Sequence, residues 1–455
     1  MKTARIIPAV FFSANFQRSP QDDIVVKKIF LVNKPLCYNI PMLHEVVIIG
    51  GGFGGVRVAK RLAGESGFHV TLIDKSRYHT FHPNLYEVAA SHLPEVFGHL
   101  PLDFVELKSS AIYPLEDIFF WDLNVSFLED EVLGADFKKK ELVLKKTGRK
   151  IYDVLVIAAG SETNYFGIQS MEARALPLKN FFNALSIRNE IDETFFKLAK
   201  NHIIKIVIGG GGFSGCELAG ELIGYTKKLA KIHGHPEYYI ECIIVEGSDK
   251  LLGGASEWAQ KKAKERLASL GVKFKFNSLI KEAEDGEVLL EDGSKIPYDV
   301  LIWTAGVKAN NLTRAFSGIK LEKAFCMIVD KYLRVSPHEN VFSVGDITYC
   351  IDESTGKALP MAAPVALRGG DLVAKNIINL FTKKPLRKYK PSHPGFIVPL
   401  GGKYALMELY GFKFAGFLPW VLRELLSLHY WAGLLGWRRA WGIWKQALEV
   451  FSRND

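Results

Sequence analysis

The sequence is poor in cysteine, and its few cysteines are not arranged as a redox pair. The 455-residue chain has five, at Cys37, Cys216, Cys242, Cys326 and Cys350. They form no Cys-x-x-Cys motif and follow no regular spacing. Such usage is typical of a reducing compartment and argues against a disulfide framework. We therefore interpret these side chains as structural thiols.

The sequence also lacks a long apolar run and a nucleic-acid signature. No uncharged apolar stretch reaches the length of about 18 residues that spans a bilayer, so no membrane-spanning helix is predicted. The net charge is +9, yet no basic tract interleaved with aromatics occurs before the C-terminal segment. We expect no nucleic-acid partner. An anionic membrane surface explains the positive charge better.

The sequence does contain one glycine-rich turn twice, as "VVIIGGGFGGVRVAKRL" and as "KIVIGGGGFSGCELAGEL". Each copy predicts a buried strand that turns tightly into a helix. Glycine permits the turn, leaves room for a pyrophosphate and lets helix and strand pack closely. The N–H groups at the helix N-terminus then hold the phosphate charge. The two Gly-x-Gly-x-x-Gly motifs consist of Gly50, Gly52 and Gly55, and of Gly210, Gly212 and Gly215.

The surroundings of both turns are duplicated as well. The strand "HVTLID" ends at Asp74 and the strand "IECIIVEG" reaches Glu246, where an acid can bind ribose hydroxyls. Two further strands, "YDVLVIAAGS" and "YDVLIWTAGV", follow the two copies at similar distances. The repeat predicts an α/β fold with two Rossmann-like dinucleotide-binding domains. The alternative is a pair of doubly wound folds without nucleotides.

The chain is predicted to return to its first domain at "NVFSVGDITYC", which contains Gly345 and Asp346. Together with "RYHTFHPNLYEVA", "YDVLVIAAGSETNYFGI", "GGGFSGCELAGEL", "LIWTAGVKANNL" and "LVAKNI", this sequence resembles the type II NADH dehydrogenases, which are single-subunit NADH:quinone oxidoreductases. The resemblance covers nearly all of 42–455. It implies hydride transfer from NADH to FAD and then electron transfer to a quinone, without proton pumping.

The resemblance also implies which residues bind the two nucleotides. Those expected at FAD are Gly50, Gly52, Phe53, Gly54, Gly55, Asp74, Lys75, Ala159, Gly160, Asp346 and Ala363. Those expected at NADH are Gly210, Gly212, Phe213, Ser214, Gly215, Glu246, Ala305 and Gly306. A carboxylate at Glu246 repels a 2′-phosphate, so NADH should be preferred to NADPH.

Glu217, Lys403 and Arg368 are candidates for a direct part in the reaction. Alignment of the two repeats places Glu217 where the first repeat has Arg57. A basic side chain such as Arg57 suits a nearby pyrophosphate, whereas a carboxylate does not. In the family that glutamate lies near the reacting rings, so Glu217 is expected to position them or relay a proton; the alternative is an acid favoured at a helix N-terminus. In the family, the segment that corresponds to "PLGGKYAL" comes close to the flavin a second time, and Lys403 lies in this segment.

The acceptor site departs from the family pattern. The family has Ala-Gln-x-Ala-x-Gln beside the flavin, whereas the aligned stretch "AAPVALRGG" has Pro364 and Arg368. Pro364 suits the first turn of a helix. Arg368 either stabilises a reduced anionic acceptor or is an exposed helix residue. His79 and His82 lack further ligands for a metal, so no metal site is expected and both are predicted to pack around the flavin or the tunnel mouth.

The C-terminal tail predicts an amphipathic helix over 438–453. At about 100° per residue, one arc holds Arg438, Arg439, Gly442, Lys445, Gln446, Glu449, Ser452 and Arg453, and the rest holds Ala440, Trp441, Ile443, Trp444, Ala447, Leu448, Val450 and Phe451. Such a helix suits the interface of an anionic leaflet. The alternative is packing on the protein's own core or in a homodimer.

These expectations combine into one organisation. Residues 1–41 are predicted to be an extension outside the fold, with a natural start at Met42 or, alternatively, an organelle transit peptide. The FAD domain comprises 42–165 and 313–395, the NADH domain comprises 166–312, and 396–455 associates with the membrane. We expect a peripheral enzyme at the cytoplasmic face of the inner membrane.

Three rival functions remain. A sulfide:quinone oxidoreductase needs two cysteines that flank the flavin, and only Cys350 lies near that region. A disulfide reductase needs a cysteine pair just after the first glycine turn, where this sequence has none. A membrane-bound NADH sensor or scaffold without quinone turnover is compatible with Pro364 and Arg368.

Overall fold

Five parallel strands form the sheet that carries the first glycine turn in the computed structural model. Their order is Val341–Ser343, Val154–Ile157, His44–Ile49, Phe68–Asp74 and Val125–Glu129. Ile49 pairs with Ile73 on one side and with Ile157 on the other. Continuous apolar strands of this kind are typical of a parallel sheet that is covered on both faces. The strand Val341–Ser343 follows all strands of the second parallel sheet in the sequence, so the chain returns to the first sheet at this point.

A second parallel sheet repeats this arrangement around the second glycine turn. Its order is Leu176–Pro177, Val300–Trp303, Ile204–Gly209, Ile240–Val245 and Lys273–Lys275. Ile208 pairs with Ile244 and Ile302, as its counterpart Ile48 pairs with Leu72 and Val156. The predicted duplication of strand, turn and helix is therefore present in the structure, and the α/β class is confirmed.

The helices cover these sheets and form the C-terminal region. In chain order they are α1 Phe53–Leu62, α2 Leu85–Ala89, α3 Leu102–Ala111, α4 Leu115–Ile118, α5 Gln169–Arg174, α6 Phe181–Lys197, α7 Phe213–His233, α8 Glu257–Leu270, α9 Ala363–Phe381, α10 Phe417–Leu435 and α11 Trp437–Phe451. Short 3-10 turns are His82–Asn84, Asn311–Ala315 and Lys323–Phe325. Gly52 and Gly212 precede α1 and α7 as their N-caps.

Small sheets complete the fold. Three-stranded sheets consist of Val132–Asp136, Glu141–Leu144 and Gly148–Ile151; of Ile280–Glu284, Glu287–Leu290 and Lys295–Pro297; and of Gly395–Pro399, Ala405–Leu409 and Phe412–Gly416. Strand pairs are Tyr78–Thr80 with Ile112–Pro114, Ser161–Thr163 with Val307–Ala309, and Met327–Ile328 with Thr348–Tyr349.

The structure describes residues 43–92, 102–236, 240–352, 355–392 and 394–452, with only the backbone for 102–106. The prediction for residues 1–41 lies outside these ranges. Within them, no helix combines the length and apolarity needed to cross a membrane.

The predicted tail helix is present as α11, but six of the eight residues of its apolar arc lie in or against the hydrophobic cores. Ala440, Ala447, Val450 and Phe451 are at most 8% exposed and belong to the hydrophobic cores. Trp441 is 55% exposed. The prediction that the whole apolar arc lies in a bilayer is therefore wrong, because most of the arc packs on the protein's own core. Helical periodicity identifies an apolar face but does not show what covers it.

Candidate functional site

The glycines of the first turn each meet a different physical demand. Gly50 has a φ of +106°, and a Cβ there would lie 2.3 Å from the carbonyl oxygen of Ala158. A Cβ at Gly55 would lie 1.9 Å from the carbonyl oxygen of Gly50, so the helix packs directly on the turn. A Cβ at Gly52 would meet no protein atom within 4 Å. The open space in front of Gly52 fits a phosphate group held by the start of α1.

The second turn has the same construction. Gly210 also has a φ of +106°, and a Cβ there would lie 2.5 Å from the Cα of Ala305. A Cβ at Gly215 would lie 2.0 Å from the carbonyl oxygen of Gly210, whereas one at Gly212 would meet open space. Both turns therefore fit a dinucleotide pyrophosphate on the same geometric grounds.

The acids at the ends of the second strands hold the two turns in the same way. The Asp74 carboxylate accepts hydrogen bonds from the N–H of Gly51 at 2.6 Å and from that of Ser76 at 2.7 Å. The Glu246 carboxylate accepts them from the N–H of Gly211 at 2.7 Å and of Ser248 at 2.9 Å. Burial raises the pKa of Asp74. Carboxylate oxygens can each accept a second hydrogen bond, so both acids retain capacity for ribose hydroxyls.

The other residues expected at FAD surround the first turn. Phe53, Gly54 and Gly55 form the first turn of α1, Ala159 and Gly160 follow the strand Val154–Ile157, and Ala363 begins α9. Lys75 is exposed. Because the strands are parallel, their carboxyl ends gather these residues at one edge of the sheet.

Asp346 belongs to a polar network that the sequence did not predict. It accepts a hydrogen bond from the hydroxyl of Ser161 at 2.5 Å, and the Lys179 ammonium donates to the same hydroxyl at 2.7 Å. Burial lowers the pKa of Lys179, although Asp346 opposes this effect. Lys179 precedes α6 in a loop and carries no motif by which sequence reasoning could have identified it.

The residues expected at NADH surround the second turn. Phe213, Ser214 and Gly215 form the first turn of α7, and Ala305 and Gly306 follow the strand Val300–Trp303. Ser214 and Ala305 are exposed, whereas Phe213 and Gly306 are half-buried. All five lie at the carboxyl edge of the second sheet.

Glu217 lies on α7, two residues beyond the last glycine of the second motif, and is half-buried. Burial raises its pKa to about 8; the charge of Arg423 opposes the rise and that of Glu87 adds to it. The carboxyl group therefore holds a proton near neutral pH. Its counterpart Arg57 forms a bidentate ion pair with Asp371 of α9, at 2.7 and 3.0 Å. This pair links α1 to α9, and a role of Arg57 near a pyrophosphate stays a prediction.

Arg423 and Glu87 place the C-terminal region beside Glu217. The Arg423 guanidinium, on α10, contacts the Glu87 carboxylate of α2 at 3.2 Å and also pairs with Glu424. It further donates to the carbonyl oxygen of Pro83 at 2.8 Å. The sequence patterns singled out neither Arg423 nor Glu424. No local pattern could have revealed their partners.

The other two candidates for the reaction are placed differently. Arg368, on the first turns of α9, donates to the carbonyl oxygen of Ser392. Lys403 is exposed in the turn between Gly395–Pro399 and Ala405–Leu409. This turn packs on α7, because a Cβ at Gly220 would lie 2.6 Å from the carbonyl carbon of Leu400. Lys403 thus belongs to a turn that contacts the helix of Glu217.

His79 and His82 contact backbone carbonyl oxygens, and the described cysteines are free thiols. His79 is buried against the carbonyl oxygen of Gly51, and His82 contacts that of Thr80. In the described residues no group of three or more potential ligands could hold a metal. The described cysteines are free thiols. Burial raises the pKa of Cys326 to about 11 and that of Cys242 to about 12, so neither is an activated thiolate.

Comparisons with known proteins identify relatives in sequence and in fold. A "Type II NADH:quinone oxidoreductase" of Haemophilus influenzae is 28% identical over 393 residues, covering 81% of this chain and 87% of the relative. The structure of NDH2 from Plasmodium falciparum in complex with NADH superposes with a TM-score of 0.79 at 17% identity, covering 90% of this chain and 99% of that one.

A second solved structure shows that proteins with other names share this fold. The sulfide:quinone oxidoreductase of Aquifex aeolicus has a TM-score of 0.70 at 19% identity, covering 86% of this chain and 92% of that one. The family model described as pyridine nucleotide-disulphide oxidoreductase matches residues 44–370. With its duplicated nucleotide turns, the chain belongs to the pyridine nucleotide-disulphide oxidoreductase family.

Proposed function

We propose that this protein is an NADH:quinone oxidoreductase that uses FAD and does not pump protons. The observation that carries the proposal is the pair of equivalent nucleotide turns within one compact unit, 43–455. No cysteine pair lies beside either turn in the described residues. Electrons that enter from NADH therefore pass to a diffusible acceptor. The name of the Haemophilus influenzae relative, a type II NADH:quinone oxidoreductase, supports a quinone in that role.

The domain assignment follows from the two sheets. FAD occupies the first turn, in the domain formed by 42–165 and 313–395, and NADH occupies the second turn, in 166–312. Bound FAD supplies a ring that accepts a hydride and passes electrons on in pairs. Asp74 and Asp346 orient the FAD ribose and ribityl chain. Glu246 does the same for NADH and disfavours a 2′-phosphate.

Glu217 supplies the proton that the reaction consumes. Reduction of a quinone by NADH requires one proton besides the hydride, since NADH, H⁺ and quinone give NAD⁺ and quinol. A carboxyl group whose pKa is about 8 holds such a proton at neutral pH. Lys403 lies in the turn that packs on α7, the helix that carries Glu217. Arg368 carries five N–H donors, so its contact with Ser392 leaves capacity to stabilise an anionic reduced acceptor.

Membrane association is supported by α10, which buries two charged side chains beside Leu428, Trp431 and Leu434 and exposes other leucines. Its buried side includes Arg423, Glu424 and Ser427, whereas Leu425 and Leu426 are 48% and 50% exposed. A helix that hides charges and exposes leucines is unusual for a surface in contact with water.

The hairpin before α10 and the first residues of α10 extend the exposed apolar surface. Tyr410, Phe412, Phe414, Phe417 and Leu418 are between 48% and 77% exposed. Exposed aromatic and aliphatic side chains in this density suit a lipid surface. Arg438 and Arg439, exposed at the start of α11, suit an anionic leaflet. We place the protein peripherally, at the cytoplasmic face of the inner membrane.

One anaerobic titration tests the catalytic proposal. Addition of NADH to the flavin-loaded protein should bleach the flavin absorbance, and a subsequent quinone should restore it. Bleaching by NADH without reoxidation by any quinone would leave the protein as an NADH sensor. Bleaching by sulfide in place of NADH would assign it to the sulfide-oxidising relatives.

A further inference from the structure

Both backbone groups of Gly51 are fixed by buried side chains. Its N–H donates to the Asp74 carboxylate at 2.6 Å. Its carbonyl oxygen contacts Nδ1 of His79 at 2.8 Å. The His79 side chain is fully buried. The peptide planes in the centre of the first glycine turn are therefore held from two sides.

The direction of each hydrogen bond at His79 follows from its partners. The carbonyl oxygen of Gly51 can only accept, so Nδ1 of His79 carries the hydrogen. Burial lowers the pKa of His79 to about 4, which leaves the ring neutral near pH 7. Nε2 is then an acceptor, and the hydroxyl of Tyr430 donates to it at 2.7 Å. A directed chain runs from Tyr430 through His79 to the glycine turn.

Tyr430 brings α10 to the turn in a second way. Its ring lies 5.2 Å from the ring of Phe53, the first residue of α1, and 5.2 Å from that of Phe81. The adjacent Trp431 is 2% exposed and belongs to the core of the first sheet. The helix is thus anchored in the core at the point from which it contacts the turn.

The second glycine turn is held without any such helix. The carbonyl oxygen of Gly211, the counterpart of Gly51, accepts from the N–H of Leu252 at 2.8 Å and from the thiol of Cys216 at 3.3 Å. Its N–H donates to Glu246. All of these partners lie between 211 and 252. The ring of Phe213, the counterpart of Phe53, lies 5.1 Å from that of Phe396 in the strand Gly395–Pro399. Among the described contacts, only the first turn relies on a side chain of α10.

We propose that Tyr430 and His79 are positioning residues for FAD, and that the FAD site is complete only when α10 is docked, whereas the NADH site forms without it. The inference rests on the proposed assignment of FAD to the first turn. Without the Tyr430 hydroxyl, Nε2 of His79 is a buried acceptor with no partner, which favours rotation of the ring away from its present position. This rotation releases the Gly51 carbonyl and misaligns the N–H groups that receive the pyrophosphate.

Release of FAD from the purified holoenzyme tests the inference, because free FAD fluoresces more strongly than the bound cofactor. Loss of one buried hydrogen bond should make release about fivefold faster in Tyr430→Phe. His79→Leu should release FAD faster still. His79→Asn can keep a donor near the Nδ1 position and should recover part of the retention. The dissociation constant for NAD⁺ should stay within about twofold, as expected for a distant site.

Tyr298→Phe is the matched control, since the Tyr298 hydroxyl donates to the carbonyl oxygen of Glu284 at 2.8 Å in the other domain. Unchanged FAD release in Tyr430→Phe would overturn the inference. Equal weakening of FAD and NAD⁺ binding would also overturn it, because that pattern indicates a general loss of structure. If Gly52→Val retains FAD, the assignment of FAD to the first turn fails instead, independently of Tyr430.

Discussion

Arg423 and Glu87 form an ion pair in the interior of the protein, although 336 residues separate them in the sequence. The two N–O contacts are 3.2 and 3.3 Å, and both side chains are 8% exposed. Glu424 also pairs with the guanidinium, and Glu217 lies within reach of its field. One buried cation thus faces several carboxyl groups. The docking of α10 is therefore electrostatically coupled to the protonation of Glu217, the candidate proton donor.

Removal of the buried cation should be strongly destabilising. Arg423→Met leaves Glu87 and Glu424 without their partner, and loss of one member of a buried pair costs about 3–5 kcal/mol. Urea unfolding of the purified protein measures the change. Combining Arg423→Met with Glu87→Gln should cost less than the sum of the two single variants. Additive losses would show that the two charges do not interact.

Glu217 should make stability fall as the pH rises. Its pKa is about 8 in the folded protein against an ordinary value of 4.5. Between these values the folded state retains a proton that the unfolded state has released, so the free energy of unfolding decreases by at most about 1.4 kcal/mol per pH unit. Glu217→Gln has no such proton. Its Tm relative to that of the unmodified protein should therefore rise from pH 6 to pH 8.

Glu257→Gln, at an exposed glutamate of α8, is the control for this measurement. Its Tm difference from the unmodified protein should not follow the same course with pH. A constant Tm difference for Glu217→Gln would contradict the raised pKa of Glu217.

Valine in either glycine turn should remove one nucleotide and spare the other. A Cβ at Gly52 or Gly212 meets no protein atom, so the fold should tolerate the substitution while the pyrophosphate should not. Gly52→Val should be purified without flavin. Gly212→Val should keep its flavin but lose reduction by NADH. Flavin absorbance and bleaching by NADH distinguish these outcomes, and full flavin in Gly52→Val would contradict the assignment.

Glu246 should set the preference for NADH. Glu246→Gln removes the negative charge that repels a 2′-phosphate, so the ratio of kcat/KM for NADH to that for NADPH should fall. The variant also weakens the contacts with Gly211 and Ser248, so a moderate loss with NADH itself is expected. Asp74→Asn, in the other domain, should leave the ratio unchanged. An unchanged ratio in Glu246→Gln would refute the assignment.

The exposed leucines of α10 should anchor the protein on vesicles. Deletion of 438–455 would remove core residues such as Val450 and is therefore a poor test. Leu425→Ser combined with Leu426→Ser removes exposed apolar surface only, and binding to anionic vesicles should weaken about tenfold. Phe182→Ser with Phe196→Ser, at 60% and 79% exposure on α6, is the control. Vesicle flotation measures binding, and equal flotation of both variants would exclude α10 as the anchor.

The sequence by itself determined the features that depend on neighbouring residues. The strands, the two glycine turns and the acids Asp74 and Glu246 follow from short patterns, because a tight turn and a buried strand impose local demands on residue type. The resemblance drawn from these motifs agrees with the named relative. Glu217 was identified in the same way, through comparison of the two repeats.

The tertiary structure alone decided what covers each surface and which charges meet. The apolar arc of α11 packs largely on the core, and the helix that exposes leucines is α10. Neither Arg423 with Glu87 nor Tyr430 with His79 could be paired from the sequence, since 336 and 351 residues separate them. Side chains this far apart meet only when the sheets and helices pack. Burial, which then sets their charges and hydrogen bonds, is a property of that packing and not of local sequence.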